Sequence, residues 1–120
     1  MGEKLCHSRG CGANFLLNVG PEAQGRIPDY EKAVLAIVGK WCRMHQEAIY
    51  QPKAVADVVC GGRDFLLQDG NCYYYFVLDL NVVGDENVVV DGHNKGLRKI
   101  GNFRKKVKEC YYLDNGQILQ

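Results

Sequence analysis

The fold turns on Asn14-Phe15-Leu16-Leu17-Asn18-Val19-Gly20-Pro21 and on the stretch that follows it, Gly25-Arg26-Ile27-Pro28-Asp29-Tyr30-Glu31. The first six residues are a short apolar run of strand length. Gly20-Pro21 ends it, since proline has no N–H for a sheet ladder. Pro28 stands where a helix opens, and Asp29 and Glu31 suit the positive end of its dipole. Tyr30, Val34, Ile37, Val38 and Trp41 recur at helical spacing and predict one apolar stripe. The helix is expected from Asp29 to about His45, and Pro52 stops any continuation.

Beyond Lys53 the pattern becomes β. Asp64-Phe65-Leu66-Leu67-Gln68 and Asn71-Cys72-Tyr73-Tyr74-Tyr75-Phe76-Val77-Leu78 flank Asp69-Gly70, a strong hairpin signal read as a type I′ turn. Val88-Val89-Val90, Leu97 to Ile100 and Val107 to Leu113 are further expected strands, and Asp114-Asn115-Gly116 a turn. The fold class is therefore α+β. A small antiparallel β-sandwich, residues 54–120, follows one strand-loop-helix unit, residues 1–53.

The 120 residues are 47% hydrophobic and 24% charged, which suits one packed domain. Fifteen Lys and Arg against fourteen Asp and Glu give a net charge of +1, so overall charge predicts neither a nucleic-acid nor a membrane partner. No run reaches the roughly 20 apolar residues of a membrane span. The first nine residues lack the apolar core of a signal peptide.

Six cysteines are scattered along the chain, without a Cys-x₂-Cys pair. Cys6, His7 and Cys11 could supply three zinc ligands, but no partner pair follows. Buried, reduced thiols and a cytoplasmic location are the expectation.

The four blocks Asn14 to Pro21, Gly25-Arg26-Ile27-Pro28, Gly39-Lys40-Trp41 and Glu47-Ala48-Ile49-Tyr50 resemble, in that order, the α-L-fucosidases of glycoside hydrolase family 29. The resemblance implies that residues 1–53 are the last strand and helix of a catalytic (β/α)₈ barrel. It implies that residues 54–120 are the family's C-terminal β-sandwich. The parent reaction is then retaining hydrolysis of terminal α-L-fucose. The family's nucleophile and acid/base carboxyls would lie upstream of residue 1, so a C-terminal fragment or split subunit is expected, with no catalytic residue of its own. Departures are His45-Gln46, where the family often has Asn-Gly, and Cys11-Gly12-Ala13 before the first block.

The residues agree with that division. A retaining glycosidase holds two carboxyls roughly 5–5.5 Å apart, whereas Glu22, Asp29, Glu31, Asp85 and Glu86 are thinly spread. Barrel enzymes carry function at the C-terminal ends of their strands. Asn18, Gly20, Pro21 and Glu22 are thus the candidate rim of a sugar pocket. Asn14, Leu16 and Asn18 share the parity expected to face the barrel interior. Phe15, Leu17 and Val19 are expected to face the helix.

No phosphate loop, nucleophile elbow or His-Glu-x-x-His motif is present, and neither a metal nor a cofactor is called for. The expected partners are a fucosylated glycan in the parent enzyme, and the missing barrel part or a second copy of this chain. The alternative is a non-catalytic accessory or carbohydrate-binding module, for which Tyr73-Tyr74-Tyr75-Phe76 could offer stacking rings. Alternation along a strand buries one parity of such a run. Lys95 to Lys108 holds seven basic residues and no acidic one, and reads as a solvated face in which only Phe103 is aromatic.

Overall fold

Residues 2–78 and 98–119 are described in a computed structural model, whose element order is three helices and then five short strands. Helices α1 (Gly2–Gly10), α2 (Asp29–Met44) and α3 (Gln46–Ile49) precede strands β1 (Lys53–Ala54), β2 (Val59–Cys60), β3 (Phe65–Asp69), β4 (Cys72–Phe76) and β5 (Ile100–Gly101). The α+β class expected from the sequence holds. The β part forms two antiparallel sheets, ordered β1-β3-β4 and β2-β5.

Helix α2 begins where proline and the acidic first turn place it. Pro28 has φ −55°, already near the helical value, and its carbonyl accepts the first bond from the Lys32 N–H at 3.0 Å. Lys32 donates to Asp29 at 3.2 Å across the first turn. The helix ends at Met44, where the His45 N–H closes on the Trp41 carbonyl and α3 takes over.

The apolar stripe of α2 is only half covered. Val34, Val38 and Trp41 are half-buried and Cys42 is buried, but Tyr30 is 80% and Ile37 70% exposed. The covered arc is rotated from the expected one because the rest of the chain meets the helix on one side only. Tyr30, Ile37 and Met44, spaced by seven, run along its uncovered border.

The hairpin lies where it was expected, with different turn chemistry. Asp69 pairs with Cys72, so the two-residue loop is Gly70-Asn71. Only Gly70, at φ +57°, is left-handed there. Glycine first and an ordinary φ second is the pattern of a type II′ turn, not I′.

The core gathers under this sheet. Leu67, on central strand β3, is fully buried, with Leu66, Leu78, Ala48 and Ile49 nearly so. Cross-strand partners Phe65 and Phe76 stack with centroids 4.6 Å apart. Helix α1, which periodicity did not predict, docks here. A Cβ on Gly10 would lie 2.7 Å from the Phe65 ring, and Arg9 donates to the Pro52 carbonyl at 2.6 Å. Among the described residues the core stays small, and the radius of gyration is 16.9 Å, against about 14 Å for a compact globule of this length.

Four expected strands need comment. Residues 14–19 carry no strand, because no described segment lies alongside to exchange hydrogen bonds with them. Val107 to Leu113 yields only the isolated bridge Tyr111↔Ile118, closed by the expected Asp114-Asn115-Gly116 turn with Gly116 at φ +71°. Of the expected strand Leu97 to Ile100, Leu97 lies outside the described residues, and of Arg98, Lys99 and Ile100 only Ile100 enters a strand, β5. Val88-Val89-Val90 and the acids Asp85 and Glu86 lie outside the described residues.

Candidate functional site

The candidate rim begins in a segment that keeps strand parity without strand pairing. Phe15, Leu17 and Val19 are half-buried, while Leu16, Asn18 and Gly20 are exposed, Leu16 by 84%. Side chains that alternate in burial point to opposite sides of an extended backbone. The expected parity is therefore present. Asn18 stands on the uncovered side with Leu16.

Two carboxylates shape the loop that follows. The Gly20 N–H donates to Glu31 Oε1 at 3.2 Å, tying the end of the apolar run to the first turn of α2. Glu31 Oε2 is shielded from solvent and lacks a hydrogen-bond partner among the described residues. Glu22 accepts two bonds from the Arg26 guanidinium, at 2.8 and 3.2 Å. The Glu22 N–H also donates to the Arg26 carbonyl, and the Gly25 N–H to the Glu22 carbonyl, both at 2.8 Å. Gly25 makes this tight return possible, with φ +78°. The Glu22 carboxylate raises the Arg26 guanidinium further above its ordinary range.

Asn18, Gly20, Pro21 and Glu22 thus lie along one continuous loop, but their chemistry is local. Glu22 is paired with Arg26, Asp29 with Lys32, and Glu31 with the Gly20 amide. Each carboxylate of this region already has a structural partner beside it. The sequence reading missed the Glu31–Gly20 tie. Its signal was available, since an acid in a first helical turn is near the loop that enters the helix.

The thiols and imidazoles offer little more. The thiols, expected to be mostly buried, are not: only Cys6 and Cys42 are buried, while Cys11, Cys72 and Cys110 lie exposed on segments with little packed over them, and Cys11 Sγ is 3.7 Å from the exposed His7 Nε2. Among the described residues no group of three His, Cys, Asp or Glu side chains is placed to hold a metal ion. No described helix is long and apolar enough to cross a membrane.

His45 is the exception among the imidazoles. It is buried, with Nδ1 2.9 Å from the Trp41 carbonyl and Nε2 2.5 Å from Asp114 Oδ1. A second buried polar centre is Asp64, whose carboxylate is fully covered. It accepts from the Tyr75 hydroxyl and the Leu78 N–H, both at 2.8 Å, and faces Arg98 at 3.4 Å. Both centres join distant segments, with His45 and Asp64 buried and Asp114 largely exposed.

Residues 3–47 match the model of the alpha-L-fucosidase family. An alpha-L-fucosidase of Dictyostelium discoideum is 50% identical over 40 residues, covering 33% of this chain and 9% of that protein. Tissue alpha-L-fucosidase of Mus musculus is 44% identical over 52 residues, covering 42% of this chain and 11% of that protein. The Homo sapiens tissue enzyme is 43% identical over 51 residues, with the same two shares. The chain thus spans about a tenth of the length of these relatives. The matched span contains the alternating run, the Glu22–Arg26 loop and α2. Residues 3–47 of this chain are therefore similar to a segment of the alpha-L-fucosidases.

Proposed function

We propose that this chain supplies a rim loop and an outer helix to an α-L-fucosidase active site, and that it does not hydrolyse fucosides alone. In this reading residues 1–53 derive from the last strand and helix of the catalytic barrel. Residues 54–120 are the accessory β domain. Asn18, Gly20, Pro21 and Glu22 border the sugar pocket of the assembled enzyme, and a terminal α-L-fucose on a glycan is the substrate. The six free cysteines fit work in a reducing, cytoplasmic compartment.

One observation carries the reading: within the family-matched segment, Leu16 and Asn18 are exposed while Phe15, Leu17 and Val19 are half-buried. A barrel strand has one parity toward its helix and the other toward the barrel interior. The alternation here, one parity half-buried and the other exposed, is what such a strand would leave when its neighbours are missing. The unpaired Glu31 Oε2 and the uncovered Tyr30, Ile37 and Met44 add support, since neighbouring barrel elements would cover them.

Retaining hydrolysis needs a nucleophilic and a proton-donating carboxyl converging on one anomeric carbon. The carboxylates around this loop are held by Arg26, Lys32 and the Gly20 amide instead. The pure 120-residue chain should therefore give no turnover of an aryl α-L-fucoside. Adding an α-L-fucosidase barrel polypeptide that stops before the matched segment should restore it. Turnover by the isolated chain, abolished by one Asp or Glu substitution, would overturn the reading.

A further inference from the structure

A second concave surface lies far along the chain from the family-matched segment, and it brings together two features that the sequence left apart. It encloses about 500 Å³ between the β1–β2 connection and the residues after β5. Such a volume is within the roughly 300–1,000 Å³ of small-ligand pockets. Tyr73, from the tyrosine-rich strand β4, and Phe103, the lone aromatic of the basic stretch, meet on its wall edge to face, with centroids 5.0 Å apart. Gln68, directly across from Tyr73 in the sheet register, lies on the same wall.

The opposite side is held by an uncommon backbone arrangement. Asp57 and Asn102 are the only non-glycine residues at positive φ among those described, at +66° and +59°. They bond to each other, the Asn102 Nδ2 donating to the Asp57 carbonyl at 2.6 Å. Asn102 Oδ1 in turn accepts from Arg104 Nε at 3.3 Å. Asparagine and aspartate tolerate this conformation best, yet it still costs free energy and collects at ligand sites. One amide thus fixes both the left-handed pair and the guanidinium beside the groove.

The geometry points to this groove as a binding site for an acidic saccharide, one bearing sulfate or carboxylate groups. An aromatic wall packs against the apolar face of a sugar ring, and side-chain amides serve its hydroxyls. Arg104 and Lys105 line the groove against the single acid Asp57, so the lining carries a net positive charge. A guanidinium held at Nε keeps its terminal nitrogens for a planar or tetrahedral anion. The edge-to-face ring pair gives one stacking platform rather than the series that a nucleic-acid strand uses. The site is independent of the fucosidase segment.

The test uses the full 120-residue chain, followed by calorimetry and amide NMR. A sulfated heparin-derived tetrasaccharide should bind saturably and shift the Tyr73 and Phe103 signals. The same saccharide after desulfation should bind at least tenfold more weakly. Arg104→Gln with Lys105→Gln should weaken the sulfated ligand at least tenfold. Phe103→Leu, which leaves the charge intact, should weaken it several-fold. Lys32→Gln with Lys40→Gln on α2 removes the same charge elsewhere and should leave binding unchanged. Absence of saturable binding, equal affinity for the desulfated saccharide or for a ten-residue oligothymidylate, or equal losses from the two charge pairs would overturn the assignment.

Discussion

His45 Nε2 lies 2.5 Å from Asp114 Oδ1, a bond that joins residues 69 apart in sequence. It fastens the turn near the C-terminus to the C-terminal end of α2. The ring's other nitrogen faces the Trp41 carbonyl at 2.9 Å, and the indole of Trp41 lies 4.7 Å from the imidazole centre.

Removing this tie should loosen the last turn before the rest of the chain. Asp114→Ala is expected to cost about 1 kcal/mol, because the carboxylate is largely exposed and its bond is weakened by solvent. His45→Ala should cost more, about 2–3 kcal/mol, since it also removes a buried ring packed on Trp41. Urea denaturation of the two single variants and the double variant checks this. Additive losses would show that the bond contributes nothing.

Gly10→Ala should destabilise the docking of α1. The new Cβ would sit 2.7–2.9 Å from Phe65 ring carbons, and that ring is held against Phe76. Forcing a methyl into such a contact costs about 1–3 kcal/mol, more than alanine returns as a better helix former. The measurement is hydrogen exchange of α1 amides, which should quicken relative to those of β3.

The Asp64 centre should be worth more than any surface pair. Asp64→Ala leaves the Tyr75 hydroxyl, the Leu78 N–H and the Arg98 guanidinium without their shared acceptor, at a cost of about 3–5 kcal/mol. Tyr75→Phe removes one donor only and should cost about 1–2 kcal/mol. Thermal melts should rank the two in that order.

High pH should unfold the chain through buried acids that resist ionisation. Burial first, then the neighbouring Cys42, raises the Cys6 thiol from 9.0 to about 11. Burial, then the bond to Asp64, raises the Tyr75 phenol above the ordinary tyrosine range. Both are raised in the folded state, so their contribution is whole below the unfolded values. It falls as pH climbs through the folded ones, and for Cys6 the window is pH 9 to 11. Stability against urea should decline across that window. At pH 8, iodoacetamide should label exposed Cys11, Cys72 and Cys110 and spare buried Cys6 and Cys42.

What the amino-acid order determined by itself was local. Pro28 with Asp29 and Glu31 placed the start of α2, the glycine after Asp69 placed the hairpin, and Asp114-Asn115-Gly116 placed the last turn. Each signal acts through backbone sterics or charge within a few residues. The alternation of residues 15–20 was legible for the same reason, since it is a property of neighbours. Tertiary structure alone decided which of these pieces found partners. Residues 14–19 kept the parity of a strand but gained no ladder, because pairing requires a second segment alongside. Helix α1 has no apolar stripe to read. It is placed by the fit of Gly10 against Phe65 of the sheet and by the bond from Arg9 to the Pro52 carbonyl. His45 with Asp114, Asp64 with Tyr75 and Arg98, and Tyr73 with Phe103 all join positions whose proximity depends on the packed chain. Burial and hydrogen bonding between distant residues are properties of that packing, and no local period encodes them.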